Sequence, residues 1–169
     1  VVDPGEMISL KEILAKKRDP LIIMFNRLDY EQNLGAILRT AWGSDVDAVI
    51  VNPSGIHEVT PVVSKVSMGG AAFVPLISMS LFQALDQLKD AAVEVVGVEV
   101  GQGSPYFQKD LTKGIAILFG GEAAGLSQPL MERCNSFINI PMIGTLASLN
   151  VSVATAIVLF DRLRQKSLG

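Results

Sequence analysis

Hydrophobic residues along the chain form short continuous runs that alternate with longer amphipathic stretches. The continuous runs are rich in β-branched residues and lack polar alternation, as in strands that are buried on both faces. Strands are predicted at residues 21–26, 48–52, 73–77, 93–100, 115–119 and 137–140. Helices are predicted at residues 33–43, 59–66, 81–91, 128–134 and 149–166. This order predicts an α/β fold with a parallel sheet and helices on both faces.

The last predicted helix, residues 149–166, has apolar residues on two opposite sides. Such a helix is buried on both sides. We therefore expect one side to cover the sheet and the other to meet a second subunit. Ser148 stands at the predicted N-cap, where its hydroxyl would accept a backbone N–H bond of the first turn. Ser148 and Asn150 mark either a simple cap or a binding site, and the pattern favours neither.

Ligands of parallel sheets bind beyond the carboxyl ends of the strands, which draws attention to the loops there. In the first loop Asn33 is placed as an N-cap. The helix that follows sets Arg39 among Gly35, Ala36 and Gly43 at spacings of three and four residues. Small neighbours permit close approach, and a guanidinium suits a phosphate or carboxylate. A structural salt bridge is the alternative.

A glycine-rich loop, FGGEAAGL, follows the predicted strand at residues 115–119. Its glycines permit close backbone approach. Glu122 would repel a pyrophosphate, and the spacing is not GxGxxG, so a dinucleotide is a poor candidate. A ligand with a cationic or hydroxyl-bearing end fits better.

Composition narrows the possible functions. A length of 169 residues predicts one domain. The single cysteine, Cys134, excludes an internal disulfide and indicates a reducing compartment. The chain contains only one histidine and one cysteine, which argues against a zinc site. The sequence contains no uninterrupted apolar run long enough for a membrane span. The net charge of −3 argues mildly against nucleic acid, although Lys11, Lys16, Lys17 and Arg18 form a basic cluster. That cluster is either a solvated helix face or an RNA-facing edge.

Three stretches of the sequence resemble the three motifs of the SpoU branch of the SPOUT RNA methyltransferases, in the same order and spacing. They are NLGAILRTA (33–41), ILFGGEAAGL (117–126) and INIPMIGTLASLNVSVATAI (138–157). The similarity covers about residues 20–167 and is greatest to the bacterial enzymes that methylate a ribose 2′-hydroxyl of 23S ribosomal RNA. The resemblance implies a C-terminal trefoil knot that forms an S-adenosylmethionine pocket, and a homodimer packed partly through the last helix.

The resemblance also implies roles for individual residues. The implied catalytic residues are Asn33 and Arg39 of the first motif, Glu122 of the second, and Ser148 and Asn150 of the third. The implied cofactor-binding positions, acting mainly through backbone groups, are Val98, Gly120, Ile140 and Leu149. No metal is implied. Because arginine almost never loses its proton, we expect Arg39 to orient the ribose and stabilise the developing alkoxide, acting across the dimer.

The family commonly carries a separate N-terminal RNA-binding domain. We therefore expect residues 1–19 to be a linker from such a domain, residues 20–169 to be the catalytic domain, and the protein to be cytoplasmic. Three alternatives stay open: a transfer-RNA ribose methyltransferase, a non-catalytic RNA-binding or assembly module of the same fold, and a nucleotide-binding α/β enzyme of different chemistry. The intact motif side chains count against the module, and the lack of GxGxxG or P-loop motifs counts against the nucleotide enzyme.

Overall fold

The structure, a computed structural model, describes residues 8–121 and 125–168, without the side chain of Leu168. The strands in these ranges are β1 Leu21–Arg27, β2 Ala48–Val51, β3 Leu76–Ser78, β4 Glu94–Val98, β5 Ser104–Pro105, β6 Ile115–Gly121 and β7 Ser136–Asn139. The α-helices are α1 Leu10–Lys16, α2 Glu31–Gly43, α3 Pro61–Val66, α4 Gly70–Phe73, α5 Leu81–Asp90, α6 Gln128–Met131 and α7 Val151–Leu168. A 3₁₀ turn covers Tyr106–Gln108.

The described strands form one parallel sheet in the order β3-β2-β1-β6-β4-β7-β5. Successive side chains of a strand point to opposite faces, and both faces of the central strand β1 are covered. Ile23 and Phe25 pack on the side of α2 and α7, whereas Ile22 and Met24 pack on the side of α1 and α5. The continuous apolar runs are therefore explained by burial on both faces, and the predicted α/β architecture is confirmed.

The prediction of a strand from residue 73 is wrong. Phe73 ends the short helix α4, and its ring stacks on Trp42 of α2 with centroids 4.6 Å apart. α4 packs tightly on α2: a Cβ at Gly70 would lie only 2.5 Å from the carbonyl oxygen of Leu38, so the close approach requires glycine at this position. Tertiary packing therefore decides this segment, and the edge strand β3 begins only after Pro75. Likewise, the predicted loop at 101–105 contains the two-residue edge strand β5.

Helix α2 begins earlier than predicted and packs closely on α3. Its N-cap is Tyr30, which makes no side-chain cap bond, so the prediction of Asn33 as the N-cap is wrong. Asn33 lies inside the first turn. Gly35 is buried, and a Cβ there would lie 2.6 Å from the Cβ of Val66 on α3. The small residue at position 35 therefore serves helix packing within the chain.

We expect Gly35→Ala to lower the free energy of unfolding by about 1–3 kcal/mol, because the added methyl overpacks the contact between α2 and α3. Urea denaturation of the wild type and the variant measures this loss. Adding Val66→Gly removes both side-chain atoms that the new methyl meets, the Val66 Cβ at 2.6 Å and Cγ1 at 2.8 Å. The double variant should therefore lose less stability than the sum of the two single losses, and simple additivity would contradict the packing argument.

The inward side of α7 combines apolar residues with a buried arginine. Val158 and Leu159 are fully buried, and Arg162 is only 2% exposed. The Arg162 Nε–H donates to the Leu111 carbonyl oxygen at 2.9 Å. Burial lowers the pKa of Arg162, while nearby aspartates oppose that shift; these are Asp47, Asp45 and Asp19. The expected contact of α7 with the sheet side is confirmed, with a polar anchor that apolar periodicity does not indicate.

Helix α1 packs on the opposite side of the sheet. Ser9 caps it, and Leu10 and Ile13 are buried in the layer that includes α5. Lys11 and Lys16 are exposed on its outer side. No helix within the described ranges is long and apolar enough to cross a membrane.

Candidate active site

A cavity of about 390 Å³ opens at the carboxyl edge of the sheet. It lies beyond the ends of β4 and β6 and beside residues 141–150, which follow β7. Parallel sheets bind ligands at this edge, and the volume lies within the range of about 300–1,000 Å³ that is typical of small-molecule sites. The structure brings together on its wall all four positions for which the resemblance implies cofactor binding: Val98, Gly120, Ile140 and Leu149.

The cavity wall is mainly apolar. Phe119, Met142 and Val151 contribute side chains to it. Among the described lining residues, Glu99 and Ser148 alone carry polar side chains. Ser148 is one of the residues that the resemblance implies, whereas sequence reasoning missed Glu99. Its position directly after a buried strand, at the ligand-binding edge of the sheet, is the signal that identifies it.

Helix α7 is capped by Asn150 rather than by Ser148, so the prediction of Ser148 as the cap is wrong. The Asn150 Oδ1 accepts from the backbone N–H groups of Ser152 at 2.8 Å and Val153 at 3.3 Å. These are the second and third residues of the helix, the usual donors to a capping side chain. Ser148 is therefore not required as a cap, and it is exposed at the cavity.

Asn150 also joins the third motif to the first. Its Nδ2 donates to the Oδ1 of Asn33 at 3.2 Å, across 117 positions of sequence. This amide orientation is consistent with the cap, because Oδ1 then faces the α7 backbone and Nδ2 faces α2. The bond fixes the start of α7 against the first turn of α2, so two of the implied catalytic residues are in direct contact.

Arg39 lies further along α2 and does not line the cavity of its own chain. It is exposed, and its guanidinium makes no hydrogen bond or ion pair with residues 8–121 or 125–168. The alternative interpretation was a structural salt bridge, but no acidic partner of Arg39 lies within the described ranges.

Glu122 lies outside the described residues, but the strand that leads to it is constrained. β6 ends at Gly121, which has φ 122° and pairs with Arg27 of β1. A Cβ at Gly121 would lie 2.2 Å from the Arg27 carbonyl oxygen, so both the space and the backbone conformation require glycine. The Arg27 Nε–H in turn donates a hydrogen bond to the Asp29 Oδ1 at 2.7 Å. The second-motif loop therefore begins from a fixed point beside β1.

Cys134 is not a nucleophile candidate. Burial raises the pKa of its thiol to about 11, and the negative charge of Glu99 acts in the same direction. The thiol is therefore protonated near neutral pH, and it lies 3.5 Å from the Leu130 carbonyl oxygen. His57 contacts the Gly55 carbonyl oxygen at 2.8 Å. Across the described part of the chain, no three His, Cys, Asp or Glu side chains are grouped to hold a metal ion.

An apolar surface, here called the α2–α7 surface, covers the outer side of α2, α4 and α7. Its members are large hydrophobic residues that are about half exposed: Trp42, Phe73, Val153 and Phe160. The Phe160 ring reaches Gly43, where an added Cβ would lie 3.6 Å from its Cζ. Arg39 lies three residues before Trp42 and four before Gly43, on the same side of α2. The exposed arginine therefore borders an apolar surface.

Comparison with known proteins gives consistent matches. RlmB of Pseudomonas putida, a 23S rRNA (guanosine-2′-O-)-methyltransferase, is 36% identical over 97% of this chain and 66% of its own length. The enzyme of the same name from Vibrio vulnificus is 38% identical over 98% of this chain and 68% of its own length. The chain thus spans about two thirds of the length of these curated relatives.

The fold matches solved structures equally well. The SpoU methyltransferase AviRb from Streptomyces viridochromogenes, crystallised in complex with the cofactor AdoMet, superposes with a TM-score of 0.87 at 27% identity. That match covers 95% of this chain and 66% of the other. Residues 20–160 match the SpoU rRNA Methylase family. The family match, the identities to the RlmB enzymes and the shared fold together show that this chain belongs to the SpoU rRNA methylase family.

Proposed function

We propose that this protein transfers a methyl group from S-adenosylmethionine to a ribose 2′-hydroxyl of RNA. The observation that carries the proposal is the cavity at the carboxyl edge of the sheet. Its wall is built from the ends of β4 and β6 and from the segment between β7 and α7. The bond between Asn150 and Asn33 holds the first and third motifs together beside it. A nucleoside-sized cavity and three of the implied catalytic residues, Asn33, Ser148 and Asn150, are thus adjacent.

The residues present fit S-adenosylmethionine. Apolar side chains such as Phe119 and Ile140 offer contact to an adenine ring, and Gly120 and Gly121 leave backbone accessible at the wall. Glu99 contributes a negative charge, which suits the positively charged cofactor and disfavours phosphorylated nucleotides. When bound, S-adenosylmethionine supplies an electrophilic methyl group on a sulfonium centre.

The chain's own residues would act on the ribose. A 2′-hydroxyl is a weak nucleophile and would release its proton to water as its oxygen takes the methyl group, the sulfur–methyl bond breaks and S-adenosylhomocysteine leaves. A guanidinium stays protonated in proteins and cannot accept a further proton. Arg39 therefore stabilises the developing negative charge and does not serve as the base. Asn33, Asn150 and Ser148 hold the ribose and Arg39 in position. Glu122 is assigned to hold the arginine or the substrate.

We propose ribosomal RNA as the substrate in preference to transfer RNA. The support is that the relatives with 36–38% identity are named as 23S rRNA guanosine-2′-O-methyltransferases. A cytoplasmic location follows from a ribosomal substrate. We also propose that residues 20–169 form the catalytic domain and that α1, which lies in the segment expected to be a linker, packs as part of it.

We further propose a homodimer that packs through the α2–α7 surface. That surface would expose several large apolar side chains in a monomer, and contiguous apolar area of this kind marks an interaction site. A second copy on it would bury Trp42 and Phe160 and bring Arg39 next to the partner chain. The position of Arg39 away from its own cavity supports catalysis across the dimer.

The C-terminal part is proposed to form a trefoil knot. β5 precedes β7 along the chain but lies outside it in the sheet. The segment that joins β4 to β6 therefore runs around the edge at which β7 is inserted, and residues 141–150 would pass through it on the way to α7. An experimental trace of residues 99–160 tests the threading, and a chain that passes outside this segment would exclude the knot.

We expect S-adenosylhomocysteine to bind the wild type with saturation at one site per chain and to raise its melting temperature. Ala154 of α7 lines the cavity. Ala154→Phe should therefore fill the ligand space and reduce binding below calorimetric detection while the protein stays folded. Ala91→Phe, at an exposed position at the end of α5, serves as the matched control and should bind like the wild type. Equal binding by all three proteins would exclude this cavity as the cofactor site.

A further inference from the structure

Glu99 holds a fixed position in the wall of the cavity. It follows β4 directly, and its backbone N–H donates to the Ile138 carbonyl oxygen of β7 at 3.1 Å. The sheet therefore determines where its side chain begins. Glu99 is half-buried and is the one charged residue among the described residues that line the cavity.

One oxygen of the carboxylate tethers the second-motif loop. The Glu99 Oε1 accepts a hydrogen bond from the backbone N–H of Leu126. A Cβ at Gly125 would lie 2.6 Å from Oε1 and 2.9 Å from Oε2, so a side chain at position 125 would displace the carboxylate from this position. The carboxylate is thus oriented by main-chain contacts from two parts of the chain.

The other oxygen has remaining acceptor capacity. An ionised carboxylate offers about four lone-pair sites. Within residues 8–121 and 125–168, the Leu126 N–H is the only hydrogen-bond donor to the Glu99 carboxylate. The wall around it is otherwise apolar apart from Ser148. A ligand in the cavity would therefore meet an oriented acceptor that is only partly used by the protein.

We propose that Glu99 recognises the ribose of the cofactor by accepting hydrogen bonds from its 2′- and 3′-hydroxyls. This inference depends on the proposed function, because it takes S-adenosylmethionine as the ligand of the cavity. Hydroxyl groups that donate to a carboxylate form strong, charge-assisted hydrogen bonds. An acidic residue that holds a ribose hydroxyl at the carboxyl edge of a parallel sheet is also an established solution in nucleotide sites. Glu99 is therefore a specificity-determining residue of the cofactor site.

The test is a calorimetric comparison of S-adenosylhomocysteine with its two analogues that lack the 2′-hydroxyl or the 3′-hydroxyl. The wild type should bind at least one of the deoxy analogues about tenfold more weakly or worse, because a charge-assisted bond is lost. Glu99→Ala should bind all three ligands with nearly equal, weakened affinity. Glu99→Gln keeps an acceptor for the Leu126 N–H and should stay as stable as the wild type while its discrimination between the ligands falls.

The outcomes separate ribose recognition from a purely structural role. If Glu99 only tethers the loop, the wild type will bind the three ligands equally, and Glu99→Ala will weaken all of them by the same factor. That result would overturn the inference and leave the proposed function intact. If the folded wild type binds none of the three ligands, the proposed function itself fails. If the wild type discriminates and Glu99→Gln discriminates equally well, another group binds the ribose and the inference is overturned. This comparison remains decisive even if Glu99→Ala does not fold.

Discussion

Arg39→Ala is expected to lower the rate of RNA methylation by about 10²–10³-fold, the cost of removing one group that stabilises a developing negative charge. The affinity for S-adenosylhomocysteine should not change, because Arg39 does not line the cavity of its own chain. Single-turnover methylation of ribosomal RNA measures the rate, and calorimetry measures the affinity. Arg39→Lys retains the charge but not the planar, two-pronged donor geometry, and should recover only part of the rate.

A mixed dimer tests whether Arg39 acts across the interface. Arg39→Ala subunits keep an intact cavity, whereas Ala154→Phe subunits keep an intact arginine. The Arg39→Ala homodimer should show only the lowered rate given above, and the Ala154→Phe homodimer should be inactive because it does not bind the cofactor. If the arginine serves the partner's cavity, the heterodimer combines one intact arginine with one intact cavity and regains activity at a single site. An inactive heterodimer would show that Arg39 serves the cavity of its own chain.

Phe160→Glu is expected to convert the proposed dimer into monomers and to remove most of the methylation activity with it. Phe160 is 47% exposed in the α2–α7 surface and its ring reaches Gly43 of α2. A carboxylate in the centre of an apolar interface must be desolvated without a partner. Loss of one central aromatic residue typically weakens association by about 30-fold or more. Sedimentation velocity over a concentration series measures the dissociation constant.

Phe82→Glu is the matched control for this substitution. Phe82 is 43% exposed, similar to Phe160, but it lies on α5 on the opposite side of the sheet. It should leave the dissociation constant of the dimer unchanged. A wild type that sediments as a monomer, or a Phe160→Glu variant that dimerises as tightly as the wild type, would exclude the α2–α7 surface as the interface. Binding of S-adenosylhomocysteine by the monomeric variant would then separate cofactor binding from catalysis.

The short-range pattern of the sequence was enough to predict the central layer of the fold. β1 and β6 are continuous apolar runs because both faces of each strand are buried. Such a run can be recognised in the sequence without knowing which distant segments cover it. The three motifs likewise identified the family, since their side chains and order can be compared without coordinates. The candidate loops after β4, β6 and β7 also followed from the general rule for parallel sheets.

Tertiary structure alone decided the details that depend on packing or on residues far apart in sequence. Phe73 belongs to a helix because its ring stacks on Trp42, which local pattern cannot indicate. Asn150 rather than Ser148 caps α7, because its Oδ1 is the oxygen that reaches the first-turn N–H groups. Only the folded chain shows this. Glu99 was missed because its significance lies in Leu126, 27 residues away, whose N–H orients the carboxylate in the cavity wall. Sequence determined the family, the central strands and the loops that form the site, whereas the fold determined which side chains meet there, because contacts between distant segments depend on the whole chain's packing.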